Sequence, residues 1–229
     1  MTAASARGKP LALITGAARA NSIAAGIVPR LLADGWDVVT SDLHGADYAC
    51  DLSTRTGPTD LLRAVTRDHG AIGALILSHA HGVESGILDT TAESFDIHVA
   101  VNARASLLLI AEFARRIPGD GGAIVALTSD HTTGNLPYGA SKGALDRIVI
   151  SAARELGPLG ISANVLNPGP IDTGWMDADV RTALAAQQPL GRLGLPADIA
   201  EVVAFLVSPQ GRWVSGQLLH ADGAFSARY

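Results

Sequence analysis

Leu11-Ala-Leu-Ile-Thr15-Gly16-Ala-Ala-Arg19-Ala-Asn-Ser22-Ile23-Ala-Ala-Gly-Ile27-Val28-Pro-Arg-Leu31-Leu32-Ala-Asp34-Gly35-Trp36-Asp-Val-Val-Thr-Ser41-Asp42 carries the reading on which the fold rests. Leu11 to Thr15 is a short apolar run, long enough for a buried strand and too short for a helix. Gly16 ends it, and Ile23, Ile27, Val28, Leu31 and Leu32 then recur at near-helical spacing. Asp34-Gly35 stops that helix, and Trp36 to Ser41 reads as a second buried strand with Asp42 at its end. Strand, helix and strand are complete within about thirty residues, the size of a parallel β-α-β unit.

The alternation continues outward. Leu43 to Cys50 is too short for a full helix and predicts a loop and a clipped strand leading into Asp51-Leu52. Helical patterns cover Thr59 to Asp68, Ala92 to Ile117 (one long helix or a broken pair), Ala140 to Leu156 and Pro196 to Leu206. Buried strands are expected at Ala74 to Leu77, Ala123 to Leu127, Ser162 to Leu166 and Gln217 to His220. Strands separated by helices of this length need crossover connections, hence a parallel sheet covered on both faces: a doubly wound, Rossmann-type α/β fold. No repeat, low-complexity tract or composition break marks a linker, so residues 1–229 read as one domain.

Composition agrees and excludes several functions. The chain is 48% hydrophobic but only 4% aromatic, with 25 glycines, which suits an aliphatic core crossed by tight turns. Its net charge of -5, with no basic cluster, lacks the footprint that nucleic-acid phosphates require. Cys50 is the single cysteine, so no internal disulfide and no Cys-x-x-Cys zinc pair can form, as in a reducing compartment. Met1 to Pro10 lacks the apolar stretch of a signal peptide, and no later segment is read as long and apolar enough for a membrane span. A cytoplasmic protein without a membrane partner is expected.

Ligands of doubly wound folds bind beyond the carboxyl ends of the strands. Gly16, directly after the first strand, lets the backbone turn and approach a pyrophosphate lying on the next helix N-terminus. Arg19, Ser22 and Ile23 complete this loop, with Ser22 and Ala24 standing where further glycines would be expected. A carboxylate at Asp42 can accept hydrogen bonds from adenosine ribose hydroxyls and repel an extra phosphate, which favours NAD. Arg19 could attract that phosphate, which keeps NADP open.

Tyr138 and Lys142 stand four apart, on one face of a helix, where the ammonium lies near the phenol and is expected to lower its pKa. Tyr138 is then a competent acid/base for a hydroxyl or carbonyl oxygen, as hydride exchange with nicotinamide requires. Ser129, just after a strand, can hydrogen-bond the developing oxyanion. Asn102, a polar amide within an apolar helix, satisfies backbone groups at a kink, anchors a water in a proton relay, or does both. The adjacent Ser129-Asp130-His131 is not a hydrolase triad, because consecutive side chains diverge.

Thr15-Gly16, Asp51-Leu52, Asn102, Ser129, Tyr138-x-x-x-Lys142, Asn164-x-x-x-Pro168-Gly169, Thr173, the segment Pro189 to Ala200 and Asp222-Gly223 form an ordered set. On that set the whole chain resembles the short-chain dehydrogenase/reductase family. The resemblance implies an NAD(P)-dependent oxidoreductase that interconverts a secondary alcohol and a ketone on a small-molecule substrate. It implies Tyr138 as general acid/base, Lys142 on the nicotinamide ribose, Ser129 orienting the substrate oxygen and Asn102 supporting the relay. It also implies Asp51 and Leu52 flanking the adenine, Ser78 and Ala80 beside the dinucleotide, and Pro168, Gly169, Ile171 and Thr173 covering the nicotinamide. Asp172 to Gln188 would correspond to a mobile lid. A homo-oligomer, dimer or tetramer, packed through Ala92 to Ile117 and Ala140 to Leu156, is expected.

Three departures qualify this. Ser78-His79-Ala80-His81-Gly82 replaces the usual Asn-Asn-Ala-Gly; two histidines without a third ligand read as backbone partners and not as a metal site. The glycine loop is similar to that of the enoyl reductase branch, whereas the spacing of Tyr138 and Lys142 is that of carbonyl chemistry. The stretch between Ser129 and Tyr138 is short for the family. Enoyl reduction, and a catalytically silent NAD-binding sensor or scaffold, are the alternatives.

Overall fold

The computed structural model describes residues 8–227, so Met1 to Arg7, most of the stretch read for a leader, lies outside the described residues. Strands β1 (Leu11–Thr15), β2 (Asp37–Asp42), β3 (Tyr48–Ala49), β4 (Ile72–Leu77), β5 (Gly122–Leu127), β6 (Ile161–Asn167) and β7 (Leu218–His220) form one sheet. Its order is β3-β2-β1-β4-β5-β6-β7, and each neighbouring pair runs parallel. Order reverses between β1 and β4, the position at which such sheets open a binding crevice. The helices are α1 (Ile23–Ala33), α2 (Gly57–His69), α3 (Ala92–His98), α4 (Ala105–Arg116), α5 (Leu136–Leu156), α6 (Ala178–Gln187) and α7 (Pro196–Val207).

Side chains alternate across the strands and build a core on each face. Leu13 and Leu75 point to the side closed by Leu62, Leu109, Phe113, Leu145 and Val149, from α2, α4 and α5. Ile14 and Ile76 point to the side closed by Ile27, Leu31, Val203 and Leu206, from α1 and α7. Each such fully buried aliphatic side chain contributes about 1.5–3 kcal/mol. Of the helix joints on the first face, α2 meets α4 through Glu112, which is 3% exposed and receives the guanidinium groups of Arg63, Arg115 and Arg116.

Two expectations are corrected here. The span Ala92–Arg116 is one unbroken 25-residue run, α3 and α4 joined by a π-helical segment at Val99–Arg104, and by length and composition it could cross a membrane. Its apolar window is 56% buried, and Leu109, Ile110 and Phe113 pack into the sheet, so it serves as a core helix. Helix α5 begins at Leu136 and not at Ala140, because Pro137 fits the first turn, whose N–H needs no partner. Tyr138 therefore sits inside the helix. A further helix, α6, forms within the segment read as a lid; its face carries no buried residue and so left no periodic signal.

Candidate active site

A crevice of about 1230 Å³ opens beyond the carboxyl ends of the strands. Gly16, Arg19, Ile23, Asp42, Asp51 and Leu52 line it at the β1–β3 end, and Ser78, Ala80, Pro168, Gly169, Ile171 and Thr173 along its length. Ser129 and Tyr138 line the other end. Most of the residues singled out from sequence are thus brought to one cavity. Ser22, Asn102 and Lys142 lie behind its wall.

The first turn shows why its residue types are needed. Gly16 has φ +73°, and a Cβ there would lie 2.6 Å from the His79 Cα, so only glycine lets β1 pass the β4 turn this closely. Ser22 caps α1 instead of facing the crevice: its hydroxyl accepts from Ala25 N at 3.2 Å. Asp42 accepts from Ala18 N at 2.9 Å and from Leu43 N at 2.7 Å, so its carboxylate shapes the loop as well as facing the cavity. Arg19 is exposed at the same end.

The opposite wall is held from α7 and the C-terminal turn. Asp198 accepts Leu195 N at the start of α7 and the fork of Arg192 at 2.6 and 2.8 Å, and Ile171 bridges to Gly194. Gly169, at φ +62°, passes Asp222 so closely that a Cβ would lie 2.5 Å from the Asp222 Cβ. Asp222 in turn accepts from Ala224 N and Ser226 N, both at 3.0 Å, which brings Phe225 and Ser226 to the crevice.

Behind the reactive end, His79 replaces an amide. Its Nε2 donates to Val101 O at 3.1 Å, which leaves Nδ1 to accept from the Thr15 hydroxyl at 2.7 Å, so β1, β4 and the π segment are pinned together. The expectation that these histidines serve the backbone describes His79. Burial, with the charge of Lys142 second, drives its pKa down to about 3. His81 instead stacks edge-on against His98, 4.6 Å between ring centroids. Among the described residues no cluster of three or more metal-ligating groups occurs.

Asn102 is fully buried in the π segment. Its Oδ1 accepts from His81 N at 2.7 Å, and its Nδ2 donates to His81 O at 2.9 Å and to Ser141 Oγ at 2.8 Å. Its side chain thus satisfies backbone groups at this irregular turn, the first of the two roles expected of it. Lys142 is 2% exposed, donates to Leu127 O at 2.8 Å and sits 5.7 Å from the Tyr138 ring centroid. Burial lowers its pKa to about 8, against the opposing charge of Asp146. The expected lowering of the Tyr138 pKa is corrected: burial pushes the phenol up, because the phenolate loses its water. Ser129 is half-buried and accepts from His131 N at 3.1 Å. Thr128 and Ser129 both line the crevice with Tyr138, but Thr128 is buried with its Oγ1 closed off, whereas Ser129 is half-buried.

Sequence reasoning missed Glu84, Asn135, Trp175 and Phe225, which line the same end. Trp175 stood in the segment read as a lid, and an exposed tryptophan there (58%) was its only available signal.

Comparison with known proteins fits this architecture. The family described as enoyl-(acyl carrier protein) reductase matches residues 16–226. An uncharacterized oxidoreductase, YjdA, of Bacillus subtilis (strain 168) is 34% identical, over 94% of this chain and 96% of its own. The cyclic-di-GMP-binding biofilm dispersal mediator protein of Escherichia coli (strain K12) is also 34% identical, over 94% and 96%. The crystal structure of the angucycline C-6 ketoreductase LanV with bound NADP superposes with a TM-score of 0.81 at 27% identity, covering 93% of this chain and 94% of that one. With a parallel seven-stranded sheet, a crevice at its switch point and these relatives over nearly its whole length, the chain belongs to the short-chain dehydrogenase/reductase family of oxidoreductases.

Proposed function

We propose that the protein interconverts a secondary alcohol and a ketone with a nicotinamide dinucleotide, using Tyr138 as acid/base. The observation that carries this is the Tyr138 phenol on the crevice wall with the enclosed amine of Lys142 one helical turn away. The cavity fits the cofactor: at about 1230 Å³ it exceeds the ~300–1,000 Å³ of ordinary small-molecule pockets. It runs from a glycine turn that admits no Cβ to a buried cation. Gly16, Arg19, Ile23, Asp42, Asp51 and Leu52 would hold the adenosine half. Ser78, Ala80, Pro168, Gly169, Ile171 and Thr173 would hold the nicotinamide half, with Ser22 acting as the helix cap behind them.

When bound, the dinucleotide supplies or takes the hydride. Tyr138, its phenol held protonated by burial, gives its proton to the carbonyl oxygen in the reductive direction and takes one back in the oxidative direction. Ser129 donates a hydrogen bond to that oxygen as charge builds. Lys142 places a positive charge beside the phenolate that results, and Asn102, bonded to Ser141, fixes the turn of α5 that carries both. LanV, a ketoreductase with bound NADP, supports ketone chemistry. NAD follows from Asp42 and NADP from Arg19. Cytoplasmic residence belongs to the same reading, as does a dimer or tetramer packed through α4 and α5, where Leu107 is 48% exposed.

The test is dinucleotide absorbance with NADH or NADPH and parallel panels of ketones and activated alkenes. Ketone turnover that falls about 100-fold or more in Tyr138→Phe is expected. Alkenes reduced while ketones are ignored would make it an enoyl reductase, the activity for which the matching family is described. The E. coli relative, described as cyclic-di-GMP-binding, favours a sensor as the second reading, and dinucleotide binding without any turnover would select it.

A further inference from the structure

The face of α5 that carries Tyr138 and Lys142 reaches Asp146 one turn further on. Its carboxyl is half-buried, with Oδ1 closed from solvent and without a hydrogen-bond partner. The Thr128 hydroxyl, on the residue after β5, acts on this carboxyl, yet its Oγ1 is likewise enclosed without a partner at hydrogen-bonding geometry. The neighbouring carbonyl, Leu127 O, is the one that takes the amine of Lys142. Both atoms are therefore enclosed together behind the Tyr138–Lys142 turn, the hydroxyl neighbouring the carboxyl. The charged groups facing Asp146 are Lys142 and Arg147 from α5 and His220 from β7.

We infer that Asp146 is a positioning residue for the Tyr138–Lys142 pair: its enclosed carboxylate, one helical turn beyond Lys142, holds that amine as an ammonium. Burial works to discharge Lys142, and Asp146 is the charge that opposes it. The carboxyl is itself driven up by burial and brought down by Lys142, so each charged form favours the other. The role in reaction rests on the assignment of Tyr138 and Lys142 proposed above.

The chain has only two lysines, Lys9 and Lys142, so ¹³C-labelled lysine titrated by NMR reads Lys142 directly, with Lys9 as internal control and no dinucleotide present. Lys142 is expected to titrate near 8 in the native protein and about one unit or more lower in Asp146→Asn, while Asp146→Glu returns it towards the native value. Coupling is reciprocal, so in Lys142→Met the labelled Asp146 carboxyl should titrate higher, a measurement that stands even if Asp146→Asn does not fold. In turnover, the pH profile of kcat/KM for ketone reduction should lose its alkaline limb earlier in Asp146→Asn by the same interval, with KM little changed. An unmoved Lys142 in Asp146→Asn, or an unmoved Asp146 in Lys142→Met, overturns the inference. Absence of all carbonyl turnover in the unmodified protein fails the Tyr138 reading instead, which the lysine titration distinguishes, and the positioning role falls with it.

Discussion

Acid should unfold this protein through His79. The imidazole is 7% exposed, and its folded pKa of about 3 lies well below its ordinary 6.5, so the native state binds fewer protons than the unfolded one between these values. Stability is therefore complete above about pH 6.5, falls as pH drops towards 3, and loses nothing more from this group below that. Each pH unit in that window costs about 1.4 kcal/mol, so acidifying to about pH 4 removes roughly 3 kcal/mol. That is a large part of the ~5–15 kcal/mol by which domains are stable. Urea denaturation of the native protein and of His79→Asn, at about pH 7 and about pH 4, isolates the term, because asparagine does not titrate. The variant should start lower, having lost the bonds to Val101 and Thr15, but its stability should fall by roughly 3 kcal/mol less on acidification. Parallel losses in the two proteins would refute the argument that buried, neutral His79 is the acid-sensitive element.

Two further outcomes follow from the nucleotide end. Gly16→Ala should cost about 2–4 kcal/mol in chemical denaturation, from a left-handed φ and overlap with the His79 backbone, and an unchanged midpoint would contradict the close approach of β1 and β4. Asp42→Ser should raise the ratio of kcat/KM for NADPH over NADH about tenfold, by removing a carboxylate that repels a 2′-phosphate. No change in that ratio would leave Asp42 as an anchor for Ala18 and Leu43 alone.

Patterns of short range carried most of the fold. Strands β1, β4, β5 and β6 are buried along nearly their whole length, so they appear as apolar runs whose ends Gly16, Ser78, Thr128 and Pro168 mark to within a residue or two. The positions of Tyr138 and Lys142 needed only helical spacing, and Gly16 only its place after a strand. Helix α6 was not legible because it buries no side chain, and a helix without an apolar face has no period to read.

What the linear order determined was therefore the alternation of elements, the crevice end of the sheet and the candidate residues along it. Tertiary structure decided which candidates reach that crevice and what state they are in. Ser22 turned out to cap its own helix through Ala25 N, three residues on, and Asn102 to bond the His81 backbone, a partner it met only when segments distant in sequence came together. The direction of the Tyr138 shift was likewise beyond sequence, for spacing reports that an ammonium is near but not how much water the fold removes from the phenol.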